Sequence, residues 1–407
     1  MISVDEARER ILAALEPMPA EQVGLGAALG RVLAEDVAAR RTQPPLAVSA
    51  MDGYAVRAGD VDTLPARLKV VGYAPAGRAF EGTVGSGEAV RIFTGAPVPD
   101  GADTIVIQEN TKQADGGWCI EVVDGKAPTG RYVRPAGLDF SEGDVLLKAG
   151  RVLTARDVGL AAGMNLPWLK VRRKPRVAIL ATGDEIVMPG DPIGRDQIVS
   201  SNALALAGFV TALGAVPVDL GIAPDSAESL RKMAAGARGT DLVLTTGGAS
   251  VGDHDLIRSV LGEAGLEVDF WRIAMRPGKP LIFGRLNETP LLGLPGNPVS
   301  SMVCATIFLR PALRALLAVA PVPDDSEPAR LGADLGKNDE REDYLRASLA
   351  VDEDGGLTAT PFDVQDSSMF ANMARADCLV VREPFAPAAT RGAPIRVLRL
   401  QGGIVGI

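Results

Sequence analysis

Ala178-Ile-Leu-Ala-Thr-Gly-Asp-Glu185, Leu242-Val-Leu-Thr-Thr-Gly-Gly-Ala-Ser-Val-Gly-Asp-His-Asp255 and Leu291-Leu-Gly-Leu-Pro-Gly-Asn-Pro298 decide the fold. Each begins as a short apolar run and ends in a loop punctuated by Gly or Pro and carrying polar groups. In an open parallel sheet such loops lie side by side beyond the carboxyl ends of the strands, where ligands bind. Three of them within one segment predict one wide polar site, and their residue types suit an anion.

The segment around them alternates. Predicted strands are Val177–Ala181, Val216–Leu220, Asp241–Thr245, Pro280–Phe283 and Leu291–Leu294; predicted helices are Ser201–Leu213, Ser226–Ala235, Asp255–Ala264 and Pro298–Leu317. That rhythm predicts βαβ units and a parallel sheet covered on both faces. Upstream, Ser3 and Glu6 read as a capping box before the amphipathic run Ala7–Leu15, and a second short helix is expected over Ala27–Asp36. From about Leu46 to Val145 the texture is β-rich, with Leu68–Val71, Ala89–Ile92, Thr104–Ile107 and Cys119–Val123 as strands. Helical texture returns at Thr154–Ala162, suited to pack with the N-terminal helices, and Pro167–Pro175 reads as a linker. Beyond a second linker at Pro321–Pro328, strands are expected at Tyr344–Val351, Leu357–Pro361, Cys378–Arg382 and Pro394–Leu400 without intervening helices. The expected fold class is a multidomain α/β protein. Residues 1–45 with 141–173 form a discontinuous helical/mixed N-terminal domain and 46–140 an inserted β-rich domain. Residues 174–320 form the central parallel-sheet α/β domain and 329–407 a C-terminal β-barrel-like domain.

Composition narrows the chemistry. The 407 residues carry a formal charge of −9, which argues against a general nucleic-acid partner but not against a small anion in a locally basic pocket. The start is acidic where a signal peptide is basic and then apolar, and no apolar run reads as membrane-spanning, so a cytoplasmic protein is expected. Three scattered cysteines suit neither a disulfide framework nor a zinc site. With His254 the single histidine, acid–base or metal chemistry must lean on carboxylates.

The loops supply candidates. Gly183 permits a tight turn and leaves Asp184 and Glu185 for water or a cation. Gly247 and Gly248, with Ser250, let backbone N–H groups approach an oxyanion ahead of a helix start. Asp253 suits a helix cap, while Asp255 suits a ligand of Mg²⁺, which prefers oxygen donors and brings its own waters beside phosphates. Asn297 and Pro298 suit N-cap and N1, so helix initiation alone explains them; Pro295 with Gly296 brings bare backbone toward the site. Arg272, Arg276 and Lys279 surround a Pro-Gly turn and suit a tetrahedral oxyanion, with a solvated surface cluster as the alternative.

The motifs MDGYA (51–55), RIFTGAP (91–97), AGLDF (136–140), TGDE (182–185), GGASVGDHD (247–255), RPGKP (276–280) and LPGNPVS (294–300) occur in the order and approximate spacing of the molybdopterin molybdenumtransferases, the gephyrin E-domain-like family. The resemblance spans essentially the whole chain. It implies a homodimer whose active site is shared between subunits, and insertion of molybdate into adenylylated molybdopterin with Mg²⁺-dependent release of AMP. By motif it implies that Asp52, Thr94, Asp139, Glu185, Asp225 and Asp255 form the catalytic set, with Glu185 and Asp255 toward the metal. On the substrate side it implies Arg272, Arg276, Lys279 and Ser300, continued by Arg346 and Ser367, with Ser368 a competitor for the last place. Arg272 and Arg276 stand where family members often carry Lys. Contacts with the molybdopterin-adenylylating enzyme and with cofactor acceptors are further implied. Two alternatives stay open: a molybdopterin adenylyltransferase, revealed by ATP consumption without molybdate, and a non-catalytic pterin carrier or scaffold, revealed by tight binding without turnover.

Overall fold

The computed structural model describes residues 1–224, 226–247, 262, 265–321 and 326–400. Its central sheet runs in the order Val216–Ala223, Arg176–Thr182, Leu242–Thr246, Thr289–Leu294, Ile282–Leu286, Leu266–Phe270. The first four strands are parallel, and the last two are antiparallel to their neighbours. The sheet is therefore mixed, not purely parallel as expected. The chain between Ile282 and Leu294 turns at Asn287-Glu288, and Asn287 takes the left-handed conformation (φ +53°) that a tight hairpin needs. The fourth of the predicted strands accordingly shifts from Pro280–Phe283 to Ile282–Leu286, and Leu266–Phe270 is an additional strand. The four parallel strands match their predicted positions within a few residues, because Val177, Ile179, Leu242, Leu244, Leu292 and Leu294 are almost fully buried in one core. The predicted helix Asp255–Ala264 lies outside the described residues.

The helical column Pro298–Leu316 contains a π-helical turn at Ala305–Leu309. Pro311 explains it: a proline has no N–H for the α ladder and its ring crowds the carbonyl four residues back. At 19 residues and mean hydropathy 1.3 this column is long and apolar enough to cross a membrane, where no such run was expected; it is 72% buried inside the protein and carries Arg310 and Arg314. Core packing accounts for its composition.

The N-terminal helix Val4–Ala13 is capped by Ser3, whose hydroxyl accepts from the Glu6 N–H at 3.1 Å. Its buried face, Val4, Ala7 and Ile11, joins Phe308 and Leu313 in the α/β core. It thus packs on the central domain, not with the helix Ala155–Gly163, which belongs to a separate cluster with Ala28, Leu33, Phe140 and Leu169. Two further expectations fail in that cluster. Ala27–Asp36 is not helical beyond a 3-10 turn at Leu25–Ala27: Gly30 (φ +73°) breaks it, and Val32 and Leu33 bridge to Val152 and Val171. Pro167–Pro175 is not a linker, because Trp168–Arg172 pairs antiparallel with Ala20–Gly24.

Residues 46–140 contain a six-stranded sheet ordered Thr104–Ile107, Gly53–Val56, Glu88–Ile92, Ala66–Ala74, Cys119–Val122, Thr111–Ala114. At the C-terminal end Glu342–Val351, Leu357–Pro361, Ser326–Leu331, Pro394–Arg399 and Cys378–Arg382 form a ring that closes by pairing Cys378–Arg382 back onto Glu342–Val351. That is a five-stranded barrel. It does contain a helix, Phe370–Arg375, which the sequence reading omitted.

Candidate functional site

Register brings the three strand-end loops together. Ala181 pairs with Thr246, and Thr246 pairs with Leu294, so the loops beginning at Thr182, Gly247 and Pro295 leave the sheet at one level. The fourth strand joins them, since Thr182 pairs with Ala223 and the Gly183 N–H donates to the Ala223 carbonyl at 3.3 Å. Contact is close: a Cβ placed on Gly247 (φ +97°) would lie 2.2 Å from the Thr182 carbonyl oxygen, and one on Gly296 would lie 3.5 Å from the Gly247 Cα. Only bare backbone fits at Gly247. Thr182 and Thr246 are each 2% exposed, and the Thr182 hydroxyl has no hydrogen-bond partner. A cavity of about 200 Å³ lies elsewhere, where Arg8, Arg310, Glu342 and Tyr344 meet.

Around this floor the predicted residues fall into distinct environments. Glu185 is exposed and its carboxylate folds back over Gly183. Asp225, Gly248, Ser250, Asp253, His254 and Asp255 lie outside the described residues. Pro295 is buried, Gly296 and Asn297 are exposed, and Pro298 begins the helix with Ser300 buried in its first turn. Asn297 occupies the N-cap position but makes no side-chain cap; its Nδ2 donates instead to Ser367 Oγ at 2.9 Å, and the Val299 N–H donates to the Ser367 carbonyl at 3.1 Å. Ser368 turns to Asp366, whose Oδ1 accepts from its hydroxyl at 2.6 Å and its N–H at 2.8 Å. Of the two serines, Ser367 is the one against the LPGNP loop.

The cations separate. Arg276 is paired with carboxylates: Nε donates to Asp343 Oδ1 at 2.8 Å, Nη2 reaches Asp343 Oδ2, and Nη1 approaches Asp339 at 3.4 Å. Two carboxylates already neutralise it, and Asp339, held mainly by the Arg341 side chain and backbone with Arg276 adding, is lowered to about 2. Arg272 stacks its guanidinium 3.8 Å from the Trp271 ring centroid. Lys279 is exposed and has no ion-pair partner among the described residues. Arg346 is 1% exposed, and burial pushes its pKa down. Its Nη2 donates to the Asp366 carbonyl at 3.0 Å and its N–H to Gln365 Oε1 at 2.9 Å, so it supports the segment carrying Ser367 from beneath.

A second polar cluster lies on the inserted module. Asp52 Oδ1 accepts from both the N–H and the hydroxyl of Thr94, each at 2.7 Å. The Thr94 N–H, then its hydroxyl, hold the Asp52 pKa below the usual carboxylate range, and Arg91 adds a smaller pull. Arg91 donates to the Gly53 carbonyl at 3.0 Å and to Gln108 Oε1 at 2.6 Å, and stacks on Tyr54 and Phe93. Motifs 40 residues apart by their first positions (51 and 91) thus meet across adjacent strands, Gly53 opposite Ile92. Asp139 is exposed on the loop that follows Val133–Arg134, its N–H bonded to the Gln43 carbonyl.

Among the described residues no group of three or more His, Cys, Asp or Glu side chains converges as a metal cage. Glu185 offers one exposed carboxylate beside the floor. Mg²⁺ commonly takes one or two carboxylates and completes its shell with waters and substrate phosphates, so this donor set fits that ion rather than a caged metal.

Asn202 was not anticipated. Its Nδ2 donates to Thr246 Oγ1 at 2.9 Å and to the Gly296 carbonyl at 2.7 Å, tying two of the three loops together. The signal in the sequence was a polar Ser200-Ser201-Asn202 run opening a helix at the ligand end of the sheet.

Comparison with known proteins matches three family models in sequence order. They are described as MoeA N-terminal region (domain I and II) over residues 2–164, Probable molybdopterin binding domain over 178–315, and MoeA C-terminal region (domain IV) over 328–400. A molybdopterin molybdenumtransferase of Haemophilus influenzae is 34% identical, covering 94% of this chain and 95% of that protein. One from Nostoc sp. is 39% identical over 81% of this chain and 77% of that one. The crystal structure of a molybdopterin biosynthesis moea protein from Pyrococcus horikosii superposes with a TM-score of 0.86 at 31% identity, covering 99% of this chain and 100% of that one.

Proposed function

Because this chain belongs to the molybdopterin molybdenumtransferase family, we propose that it inserts molybdate into adenylylated molybdopterin and releases AMP with the aid of Mg²⁺. The observation that carries the proposal is the common level of the Thr182, Gly247 and Pro295 loops, set by the register Ala181–Thr246–Leu294. A floor of bare backbone beside Glu185, together with the cations Arg272 and Lys279 of the same domain, suits a ligand bearing several anionic groups.

The roles follow from chemistry. Glu185, with Asp255 and Asp225 from outside the described residues, would hold Mg²⁺, which supplies charge neutralisation at the phosphates. Lys279 and Arg272 attract molybdate toward the dithiolene sulfurs; Ser367, Ser300 and Asn297 offer neutral hydrogen bonds at its rim. The phosphoanhydride bond between pterin phosphate and AMP breaks, an oxygen of water or molybdate forms the new P–O bond, and AMP leaves. Asp52, kept ionised by Thr94, completes the site from a second copy of the chain, and Asp139 adds a further carboxylate from that copy. The subunit pair works in the cytoplasm.

Purified protein given adenylylated molybdopterin, molybdate and Mg²⁺ should release AMP, and Glu185→Ala should abolish release while keeping the fold. Normal release by the folded variant would remove Glu185 from the mechanism. Sharing between subunits has its own test. Inactive Asp52→Ala and Glu185→Ala chains, mixed and allowed to exchange, should regain part of the activity; a mixture as dead as its parts contradicts a shared site.

A further inference from the structure

The side-chain nitrogen of Asn202 donates twice into the floor of the site, and its position in its helix does not account for that. Asn202 is the first residue of the helix Asn202–Ala212, and the N-cap residue is Ser201, which makes no side-chain cap. A capping side chain accepts from backbone N–H groups; Asn202 instead donates, to Gly296 O at 2.7 Å and to Thr246 Oγ1 at 2.9 Å. Because a backbone carbonyl can only accept, the atom facing Gly296 must be Nδ2, which fixes the amide orientation. Thr246 is 2% exposed and anchored in the central sheet, whereas Gly296 is exposed at the tip of its loop. One amide thus moors a mobile kind of segment, a loop tip, to a rigid one. On its other side the tip meets Ser367 of the barrel through Asn297 and Val299, and the Asn297 carbonyl accepts from the Ser301 N–H at 2.9 Å.

We propose that Asn202 is a positioning residue for the transfer reaction, holding the Pro295-Gly296-Asn297 tip in register with the Thr246-Gly247 strand end. This rests on the floor being the site of transfer. Without Asn202 no side chain among the described residues ties the tip to the Thr246 strand end, and the spacing between two walls of the site loses that constraint while the barrel contact through Ser367 remains. Misplacement of reacting groups by about 1 Å costs on the order of a hundredfold in rate, so even a partial shift should be measurable.

The full-length protein and its Asn202→Ala and Asn202→Asp variants are compared in three measurements. Amide hydrogen exchange at Val299 and Ser301 should quicken in Asn202→Ala; unchanged exchange refutes the mooring whether or not the protein turns over. For AMP release, kcat should fall about tenfold or more in Asn202→Ala while the melting profile stays near that of the parent. Unchanged kcat, or a loss that merely tracks the unfolded fraction, overturns the positioning role. Asn202→Asp cannot donate when ionised but donates one hydrogen bond to Gly296 O when protonated, so its activity relative to the parent should rise as the pH falls. A flat ratio also counts against the proposal. Failure of the parent itself to release AMP would sink the functional reading, while the exchange measurement still decides the mooring.

Discussion

Gly247→Ala should damage the α/β domain far more than an ordinary Gly→Ala change, and Gly296→Ala, a few ångströms away, should not. At Gly247 the backbone has φ +97°, which costs an L-residue about 1–2 kcal/mol. The new methyl would also lie 2.2 Å from the Thr182 carbonyl oxygen, a backbone atom fixed by a central strand. Relieving that overlap displaces one strand end from another, at a cost of about 1–3 kcal/mol as for other overpacked sites. Together the two effects give roughly 2–5 kcal/mol, a large share of the ~5–15 kcal/mol that holds a typical domain folded. At Gly296 the added Cβ meets the Gly247 Cα at 3.5 Å, ordinary contact, so the change should stay within about 0.5 kcal/mol. Urea unfolding followed by tryptophan fluorescence, to which Trp271 in this domain contributes, measures both. Equal midpoints for Gly247→Ala and Gly296→Ala would refute the close approach of the first and second loops.

Arg276→Ala should lower stability by about 1–3 kcal/mol, because it strips a charged partner from Asp343, which is only 7% exposed. Lost molybdate affinity at unchanged stability would instead restore Arg276 to the anion site. Thr94→Val removes one of two hydrogen bonds to Asp52 and should raise the Asp52 pKa toward the ordinary carboxylate value, read by carbon NMR titration. For the parent, a lowered folded pKa means that this pair stabilises the fold above the unfolded pKa and loses its effect as pH falls through the folded one. Glu342 is the opposite case: burial raises its pKa, despite the bond from the Tyr344 hydroxyl at 2.8 Å. The native state then holds a proton the unfolded chain has shed, so stability declines as pH rises from the unfolded pKa through the folded one. Glu342→Gln should therefore raise the melting temperature at neutral pH and lose that advantage in acid; a melting gain independent of pH would contradict the assignment.

How much was legible varies by element. Val177–Ala181 and Leu291–Leu294 could be read because continuous apolar runs between Gly and Pro have few other uses. Ala27–Asp36 misled because its local composition favours a helix, while the partners that override it, Val152 and Val171, lie more than a hundred residues away. Asp52 and Thr94 were named from family motifs, and their direct bond needed the pairing of Gly53 with Ile92. Arg276 and Arg346 were read as cations for a ligand, but charge in a sequence does not disclose what already neutralises or buries it. Asp339 and Asp343 do so for the first, burial on the outer face of a barrel strand beneath Gln365 and Asp366 for the second. Asn202 carried only the weak signal of a polar helix start, because a mooring depends on what the donor faces.

By itself the sequence determined the three strand-end loops, their common chemistry and the family that uses them. Those follow from short-range rules: apolar runs that must be buried, glycines where a side chain cannot fit, and motifs whose order survives without coordinates. Tertiary structure alone decided the mixed sheet, the packing of the first helix onto the central domain, and which side chains remain available at the floor. These depend on pairing between distant segments, where strand register and charge neutralisation are settled by partners that local sequence does not name. The loops were visible as three separate stretches; the register Ala181–Thr246–Leu294 and the amide of Asn202 make them one site.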